Sequence, residues 1–256
     1  MCSSDLRVAV GALAKLFLQE LGIEVLSHVV AVGGANVERE VPWKEIKVSC
    51  SRNEVLLNCA DPDSEQRMKA EVDKVLRTGD SVGGVFEVVA HGVPPGLGTY
   101  AQWDERLDGQ LAAAVMSLQA VKAVEIGAGV ASAYAPGSAV HDEIGYDRAS
   151  GFTRTRNNAG GIEGGVSNGQ EIRVRGYLKP ISTLRRPLQS VDFASREPVK
   201  AAYERSDVCV VPAAGVAGEA MVALTLARCA LEKFGGDSMA ETSRNFRGYL
   251  EQVKNY

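Results

Sequence analysis

The spacing of apolar residues along the chain predicts six helices. In the first, apolar side chains follow helical spacing at Val10, Leu13, Phe17 and Leu21. In the second, Asp61 is placed to cap the N-terminus and Pro62 to occupy the first helical position. The predicted helices cover residues 7–21, 62–78, 107–118, 198–205, 219–234 and 242–253.

Four other segments have the pattern of strands. Residues 171–178 alternate, with Arg173, Arg175 and Tyr177 on one side and apolar or small residues on the other, which is typical of a strand with one polar face. The other three predicted strands cover residues 23–32, 82–93 and 121–126. Because helices and strands interleave with irregular connections, the pattern favours a layered α+β fold over a doubly wound nucleotide-binding fold.

Composition narrows the class of protein. A chain of 256 residues with 45% hydrophobic residues can form one large domain or two small ones with a sizeable core. Five cysteines without a CxxC pair argue against a disulfide framework and against a metal site such as structural zinc. The formal charge of −4 argues against a nucleic-acid partner. No segment is expected to span a membrane and no signal sequence is apparent, so we expect a cytoplasmic protein.

Basic residues concentrate in one part of this acidic chain. Residues 151–186 hold seven basic and two acidic residues. The glycine-rich run 157–165 lies within this part, where backbone N–H groups could turn toward an anion. The pattern indicates a site for a small polyanion. Two simpler interpretations remain open, namely a solvated strand face with charge pairs and a turn-rich loop without a ligand.

Other candidates for chemistry are weaker. The run 127–132 follows a predicted strand and resembles a dinucleotide fingerprint, but a serine replaces its third glycine and Pro136 stops a following helix, so we reject that interpretation. His28 lies in an apolar strand and is expected to be structural. Asp207, taken by itself, is more typical of a capping or paired carboxylate than of a catalyst.

Six motifs occur in an order that resembles the chorismate synthase family. They are GVPPGLG at 92–98, WDERLD at 103–108, QAVKAVEIGAG at 119–129, RTRNNAGGIEGGVSNGQ at 154–170, KPISTL at 179–184 and RSDVCVVPAAGVAGEAM at 205–221. Each motif alone is weak, but their order makes the combined resemblance specific. It extends from about Arg7 to Val253, and a sugar-phosphate enzyme that shares only the glycine-rich loop is the less favoured interpretation.

The resemblance implies a fold and an activity. The fold would be a layered β-α-β sandwich of the chorismate synthase type with its N-terminal part missing; residues 1–6 look like a non-native start and residues 7–256 like an incomplete domain. The activity would be that of a carbon–oxygen lyase, the anti-1,4-elimination of phosphate from 5-enolpyruvylshikimate 3-phosphate to give chorismate in the shikimate pathway. It requires reduced FMN, supplied from outside or by an NADPH-dependent reduction, and a homotetramer.

The resemblance also assigns residues. Asp207 would be the catalytic carboxylate that helps move a proton at the flavin, kept ionised by Arg205. The residues expected to bind FMN are Gln119, Ala120, Gly164, Lys179, Pro180, Ile181, Ser182, Thr183 and Arg205. Two histidine motifs of the family, Glu-Ser-His-Gly and Pro-Gly-His-Ala-Asp, do not occur in the chain. Little or no turnover is therefore expected from this chain alone, and an inactive FMN- or phosphate-binding fragment is the alternative.

Overall fold

The computed structural model describes residues 3–52, 56–148, 151–204 and 207–255. The helices are α1 (Ser3–Glu20), α2 (Trp43–Cys50), α3 (Pro62–Thr78), α4 (Leu107–Met116), α5 (Gly129–Ser132), α6 (Gly137–Val140), α7 (Val211–Phe234) and α8 (Met239–Lys254). The strands are β1 (Glu24–Val32), β2 (Ala35–Asn36), β3 (Gly84–His91), β4 (Val121–Ile126), β5 (Ile144–Asp147), β6 (Gly151–Arg154), β7 (Ile162–Glu163), β8 (Val166–Ser167), β9 (Ile172–Leu178), β10 (Gln189–Val191) and β11 (Pro198–Lys200).

Five strands form one antiparallel sheet in the order β2-β1-β3-β9-β4. In its centre, His28 on β1, Glu87 on β3 and Arg175 on β9 lie side by side. At the β4 edge, Val121 is opposite Leu178, so β4 begins where β9 ends. The antiparallel order agrees with the predicted α+β class and excludes a doubly wound sheet.

One face of the sheet is covered by helices α1, α4 and α7, and small residues set how closely they pack. The Phe86 ring is fully buried between β9 and α7. A Cβ added at Gly176 would lie 2.4 Å from this ring, and one at Gly218 would lie 2.5 Å from it. In α1, a Cβ at Gly11 would lie 2.3 Å from the Cβ of Ala220. Glycine at these positions therefore permits the close approach of helix to sheet and helix to helix.

The other face of the sheet carries the polar side of β9, and it is buried as well. Arg173 is only 5% exposed, and its guanidinium donates to the carbonyl of Val41 (2.9 Å) in the segment between β2 and α2. His28 is also buried, with Nε2 3.2 Å from the Glu87 carboxylate. The alternation predicted for β9 is confirmed, and His28 is buried in its strand; the polar face is largely covered by protein, with Arg175 and Tyr177 half-buried.

The helix predicted over residues 198–205 is wrong. Residues 198–200 form β11, which pairs with β10 in an antiparallel hairpin. The hairpin is extended by a backbone bond from the Ala201 N–H to the Leu188 carbonyl (2.9 Å). Both strands are exposed, so a short helix here would have had no apolar surface to pack against, whereas the hairpin pairs its backbone groups.

Helix α7 is longer than predicted, because it begins at Val211 and not at Glu219. The additional turns contain Gly215 and Gly218, which weaken a helix in isolation but here allow contact with the sheet. With 24 residues, α7 is long and apolar enough to cross a membrane, which corrects the expectation that no segment would be. In the structure 67% of its apolar window is buried, as in a core helix.

Helix α1 also differs from its prediction. It begins at Ser3, four residues before the predicted start. Its buried positions include Gly11, Ala14 and Leu18, whereas Val10 is 51% and Leu13 is 67% exposed. The apolar pattern identified the helix but not the side that packs on α7, because leucines occur on both sides of it.

Candidate functional site

Two of the predicted flavin-binding segments meet at the β4 edge of the sheet. The turn Gln119–Ala120 precedes β4, and the segment Lys179–Thr183 follows β9. The Lys179 N–H donates to the Ala120 carbonyl (3.0 Å). Ala120 has φ +67°, a left-handed conformation that is costly for a residue other than glycine and that is often found at functional sites. The antiparallel pairing of β4 with β9 therefore brings these expected residues together.

The segment around Asp207 lies beside them. The segment Gly79–Gly84, which leads from the end of α3 into β3, contacts both the segment after β9 and the segment at Asp207. The Ser81 hydroxyl donates to the Ile181 carbonyl (2.6 Å), and the Val82 N–H donates to the Val208 carbonyl (3.0 Å). We call the residues 79–84, 119–120, 179–183 and 207–208 together the sheet-end corner.

The sheet-end corner presents groups that can bind an anion or move a proton. Lys179, Ser182 and Asp207 are exposed, and so are the nearby cations Arg185 and Arg186. The backbone of the latter is fixed to the corner, since the Arg186 N–H donates to the Gly79 carbonyl (3.0 Å). An ammonium, a hydroxyl and a carboxylate on one surface suit a ligand that carries a phosphate and a titratable ring.

Gly164 lies at the opposite end of the sheet. It turns the β7–β8 hairpin with φ +62°, and a Cβ there would meet no atom within 4 Å. Just before this hairpin, the Gly160 carbonyl accepts from the Arg173 N–H (3.3 Å) near the start of β9. From Arg173 to Lys179 the chain advances roughly 20 Å at about 3.3 Å per residue. The structure therefore does not bring Gly164 into the sheet-end corner of the same chain.

Arg205, the remaining predicted flavin contact, lies outside the described residues. Its expected effect on the neighbouring Asp207 therefore stays a prediction. Pro180 and Thr183 lie within the sheet-end corner, where Pro180 is exposed and Thr183 is half-buried.

Several polar side chains in and just before the glycine-rich run bond to the protein itself. Arg154 pairs with Glu163, and Arg156 donates to the His141 carbonyl (3.0 Å). The Asn157 amide accepts from Gly161 N–H (2.8 Å) and donates to another backbone carbonyl. The Arg154, Arg156 and Asn157 side chains therefore brace this part of the chain internally.

The Asp142 side chain, which precedes the run in the sequence, contributes to that bracing. The two carboxylate oxygens of Asp142 accept from the N–H groups of Asn158 and Ala159, each at 2.9 Å.

The cations that remain exposed in residues 151–186 include Lys179, Arg185 and Arg186, which belong to the end of β9 and the segment after it. Arg156, next to the glycines, is exposed as well, but its guanidinium donates to the carbonyls of Ser138, Ala139 and His141.

Two cavities lie elsewhere. One of about 740 Å³ opens between α4 and α7, with Trp103, Met221 and Arg228 among its lining residues. Another of about 250 Å³ lies on the polar face of the sheet, next to His28 and Glu87. Neither of these two cavities is lined by the residues predicted to bind FMN.

Sequence reasoning missed the residues that support this corner. Ser81 and Gly83 belong to the run Gly-Asp-Ser-Val-Gly-Gly, which stands between a capped helix and a strand. Two adjacent glycines at the start of a strand are a signal of close backbone approach, and that signal was present. What the sequence could not provide was the partner of the approach, because the segment after β9 is about a hundred residues away.

Comparison with known proteins identifies the family of the chain. The family model for chorismate synthase matches residues 3–231. A chorismate synthase from Koribacter versatilis is 69% identical over 98% of this chain and 65% of its own length, and one from Acidobacterium capsulatum is 64% identical over 99% of this chain and 66% of its own length. The chain thus spans about two thirds of the length of these relatives.

A solved structure supports the same assignment. A crystal structure of chorismate synthase superposes with a TM-score of 0.81 at 40% sequence identity, covering 99% of this chain and 69% of that one. The superposition covers almost the whole chain. With a family model that matches most of its residues, the chain belongs to the chorismate synthase family.

Proposed function

We propose that this chain supplies the flavin-binding surface of an enzyme that converts 5-enolpyruvylshikimate 3-phosphate into chorismate. The observation that carries the proposal is the sheet-end corner, where Ala120, Lys179 and Asp207 come from distant parts of the sequence to one end of the sheet. The reaction breaks a carbon–oxygen bond, releases phosphate with the electron pair and removes a proton from the ring. Oxidation states balance without a net oxidant.

The exposed groups of the corner fit reduced FMN. Lys179 would lie near an anionic oxygen of the flavin, and Ser182 and Thr183 would contribute hydroxyl groups. The left-handed turn at Ala120 would place its backbone and that of Gln119 along the flavin. When bound, reduced flavin supplies electron density to the substrate and receives it back.

Asp207 would move the proton in this scheme. Its carboxylate is exposed beside Val208, which is hydrogen-bonded into the corner, so the carboxylate is held near the place where the flavin would lie. A carboxylate in this position could accept the proton that the reaction removes from the ring and release it to solvent once phosphate has left, which completes the elimination. Fixed cations near the departing phosphate stabilise the negative charge that grows as the bond breaks.

Gly164 fits the proposal through a second copy of the chain. It is distant from Lys179 within one chain, and its open side has room for an approaching group. In a homotetramer, Gly164 of one subunit would complete the flavin surface of its neighbour.

The cytoplasm is the proposed compartment, with the reduced flavin obtained from outside or through NADPH.

Replacing Lys179 with alanine is expected to weaken FMN binding about tenfold, because a charge-assisted contact to an anionic oxygen is lost. The measurement is a titration of FMN fluorescence against the 256-residue chain. Lys200→Ala, at an exposed lysine of β11, is the matched control and should leave the affinity unchanged. Equal affinity of the Lys179→Ala variant and the parent chain would exclude Lys179 from the flavin site.

Activity is tested with this chain and with a chimera in which it replaces the segment of the Koribacter versatilis relative that it matches. Both are supplied anaerobically with reduced FMN and 5-enolpyruvylshikimate 3-phosphate, and chorismate is measured. The full-length relative is the positive control. If the chimera forms chorismate and the 256-residue chain does not, the chain belongs to an active enzyme and needs further segments for turnover. If the chimera binds flavin and forms no chorismate, the chain is an FMN-binding module and the proposed activity is wrong.

A further inference from the structure

The segment Gly79–Gly84 contacts two parts of the proposed flavin site with three consecutive residues. Ser81 binds the segment after β9, Val82 binds the segment at Asp207, and Gly83 packs against the end of β9. The segment itself is fixed at both ends, by the left-handed C-cap of α3 at Gly79 and by the start of β3. It is therefore placed to set the distance between Lys179 and Asp207.

Ser81 makes the most specific of these contacts. Its side chain is largely buried, and its hydroxyl donates to the Ile181 carbonyl at 2.6 Å. Its own N–H is bonded to the Asp80 carboxylate (2.8 Å), so the hydroxyl is the group that reaches across to the neighbouring segment. Loss of the hydroxyl would leave the Ile181 carbonyl without this donor, and the segment between Lys179 and Thr183 would lose an anchor in its middle.

Gly83 allows the second approach. A Cβ at this position would lie 2.2 Å from the Leu178 carbonyl oxygen and 3.0 Å from the Pro180 nitrogen. The Gly83 carbonyl accepts from the Gly33 N–H (3.0 Å), which fixes the segment from the opposite side. Only a residue without a side chain lets the backbone of the Lys179 segment come this close.

Val82 joins the third element through its backbone. Its N–H donates to the Val208 carbonyl (3.0 Å), one residue after Asp207. The Ile181 carbonyl and the Val208 carbonyl are thus held by neighbouring residues of one short segment. Movement of Ser81 or Val82 would change the position of Lys179 relative to Asp207.

We propose that Gly79–Gly84 is a positioning element of the flavin site, and that the Ser81 hydroxyl fixes the Lys179 segment at the distance from Asp207 that a bound flavin requires. The proposal rests on the function proposed above. Ser81 is a positioning residue in this scheme and acts through the backbone of Ile181.

The experiment compares the 256-residue chain with its Ser81→Ala, Ser81→Thr and Ser49→Ala variants. Ser49 is the matched control, because it is also a buried serine whose hydroxyl donates to a backbone carbonyl, that of Cys59 (3.2 Å), but in α2. Amide hydrogen exchange without ligand is measured by mass spectrometry, FMN affinity by fluorescence titration, and the melting temperature of each variant by circular dichroism.

Ser81→Ala is expected to speed exchange about tenfold in residues 180–186 and 207–210 and to weaken FMN binding about tenfold. Ser81→Thr, which keeps the hydroxyl, is expected to restore most of both. Ser49→Ala should lower the melting temperature by about as much as Ser81→Ala does. It should change neither the exchange rate of residues 180–186 and 207–210 nor the FMN affinity.

Two results would overturn the positioning role. One is unchanged exchange at residues 180–186 and 207–210 in Ser81→Ala, and the other is the same change in Ser49→Ala, which would indicate general loosening. A parent chain that binds no FMN would contradict the proposed function, whereas the exchange comparison would still decide whether Ser81 holds the two segments together.

Discussion

Replacing Glu87 with alanine is expected to lower the free energy of unfolding by about 3 kcal/mol, since the buried Arg173 and His28 would lose a carboxylate partner, although Glu171 still pairs with Arg173 at 2.7 Å. The Glu87 side chain is 2% exposed and accepts from Arg173 (2.9 Å) and from Arg175 (2.8 Å). It also bonds to His28 at 3.2 Å. All of these groups lie on the polar face of the sheet, where Arg173 and His28 are buried.

The same carboxylate makes stability depend on pH. Burial raises the pKa of Glu87, but the His28 hydrogen bond and the charges of Arg175 and Arg173 outweigh burial and hold the pKa at about 2, against an ordinary value of 4.5. Because the folded pKa is the lower one, this stabilisation is present above pH 4.5 and is lost as the pH falls toward 2. The difference corresponds to about 3 kcal/mol.

Urea unfolding followed by circular dichroism, at neutral pH and through the range from pH 5 to pH 2, measures both effects. Glu87→Ala should lower the midpoint at neutral pH and reduce the dependence on pH below 4.5. The control is Glu232→Ala, which removes an exposed carboxylate that lies 3.7 Å from Arg228, and a change below about 0.5 kcal/mol is expected. Similar losses for both variants would contradict a special role of the buried cluster.

Strand β9 shows how far the sequence could predict this fold. Its alternation identified which side chains share a face, and Arg173, Arg175 and Tyr177 do share one. The pattern did not indicate that this face is buried, since arginine is usually exposed. The cover comes from the segment around Val41 and its carbonyl bond to Arg173, a contact between residues more than a hundred positions apart.

The candidate site, like β9, could be predicted from the sequence only in part. The residues Ala120 and Lys179 were expected from motifs, and the antiparallel pairing of β4 with β9 brings them together. The placement of Gly164 at the other end of β9 could not be predicted, because a motif gives order along the chain and not distance in space. Ser81 was missed because its role depends on which carbonyl lies opposite its hydroxyl.

Replacing Asp207 with asparagine in the chimera with the Koribacter versatilis relative is expected to slow chorismate formation at least about a hundredfold. Asparagine has nearly the same shape but cannot accept the proton that a carboxylate accepts at the proposed flavin site. FMN affinity should stay within about twofold of the parent chimera, since the binding contacts proposed for Lys179 and Ala120 are kept.

The measurements are anaerobic turnover with saturating substrate and a separate FMN titration, so that a loss of binding is not taken for a loss of chemistry. Asp237→Asn is the matched control, because Asp237 is an exposed aspartate just before α8, away from the sheet-end corner, and its variant should turn over normally. Full turnover by Asp207→Asn would assign the proton to another group. If Asp207→Asn loses both FMN binding and turnover, Asp207 is a binding residue, and the catalytic role proposed for it is wrong.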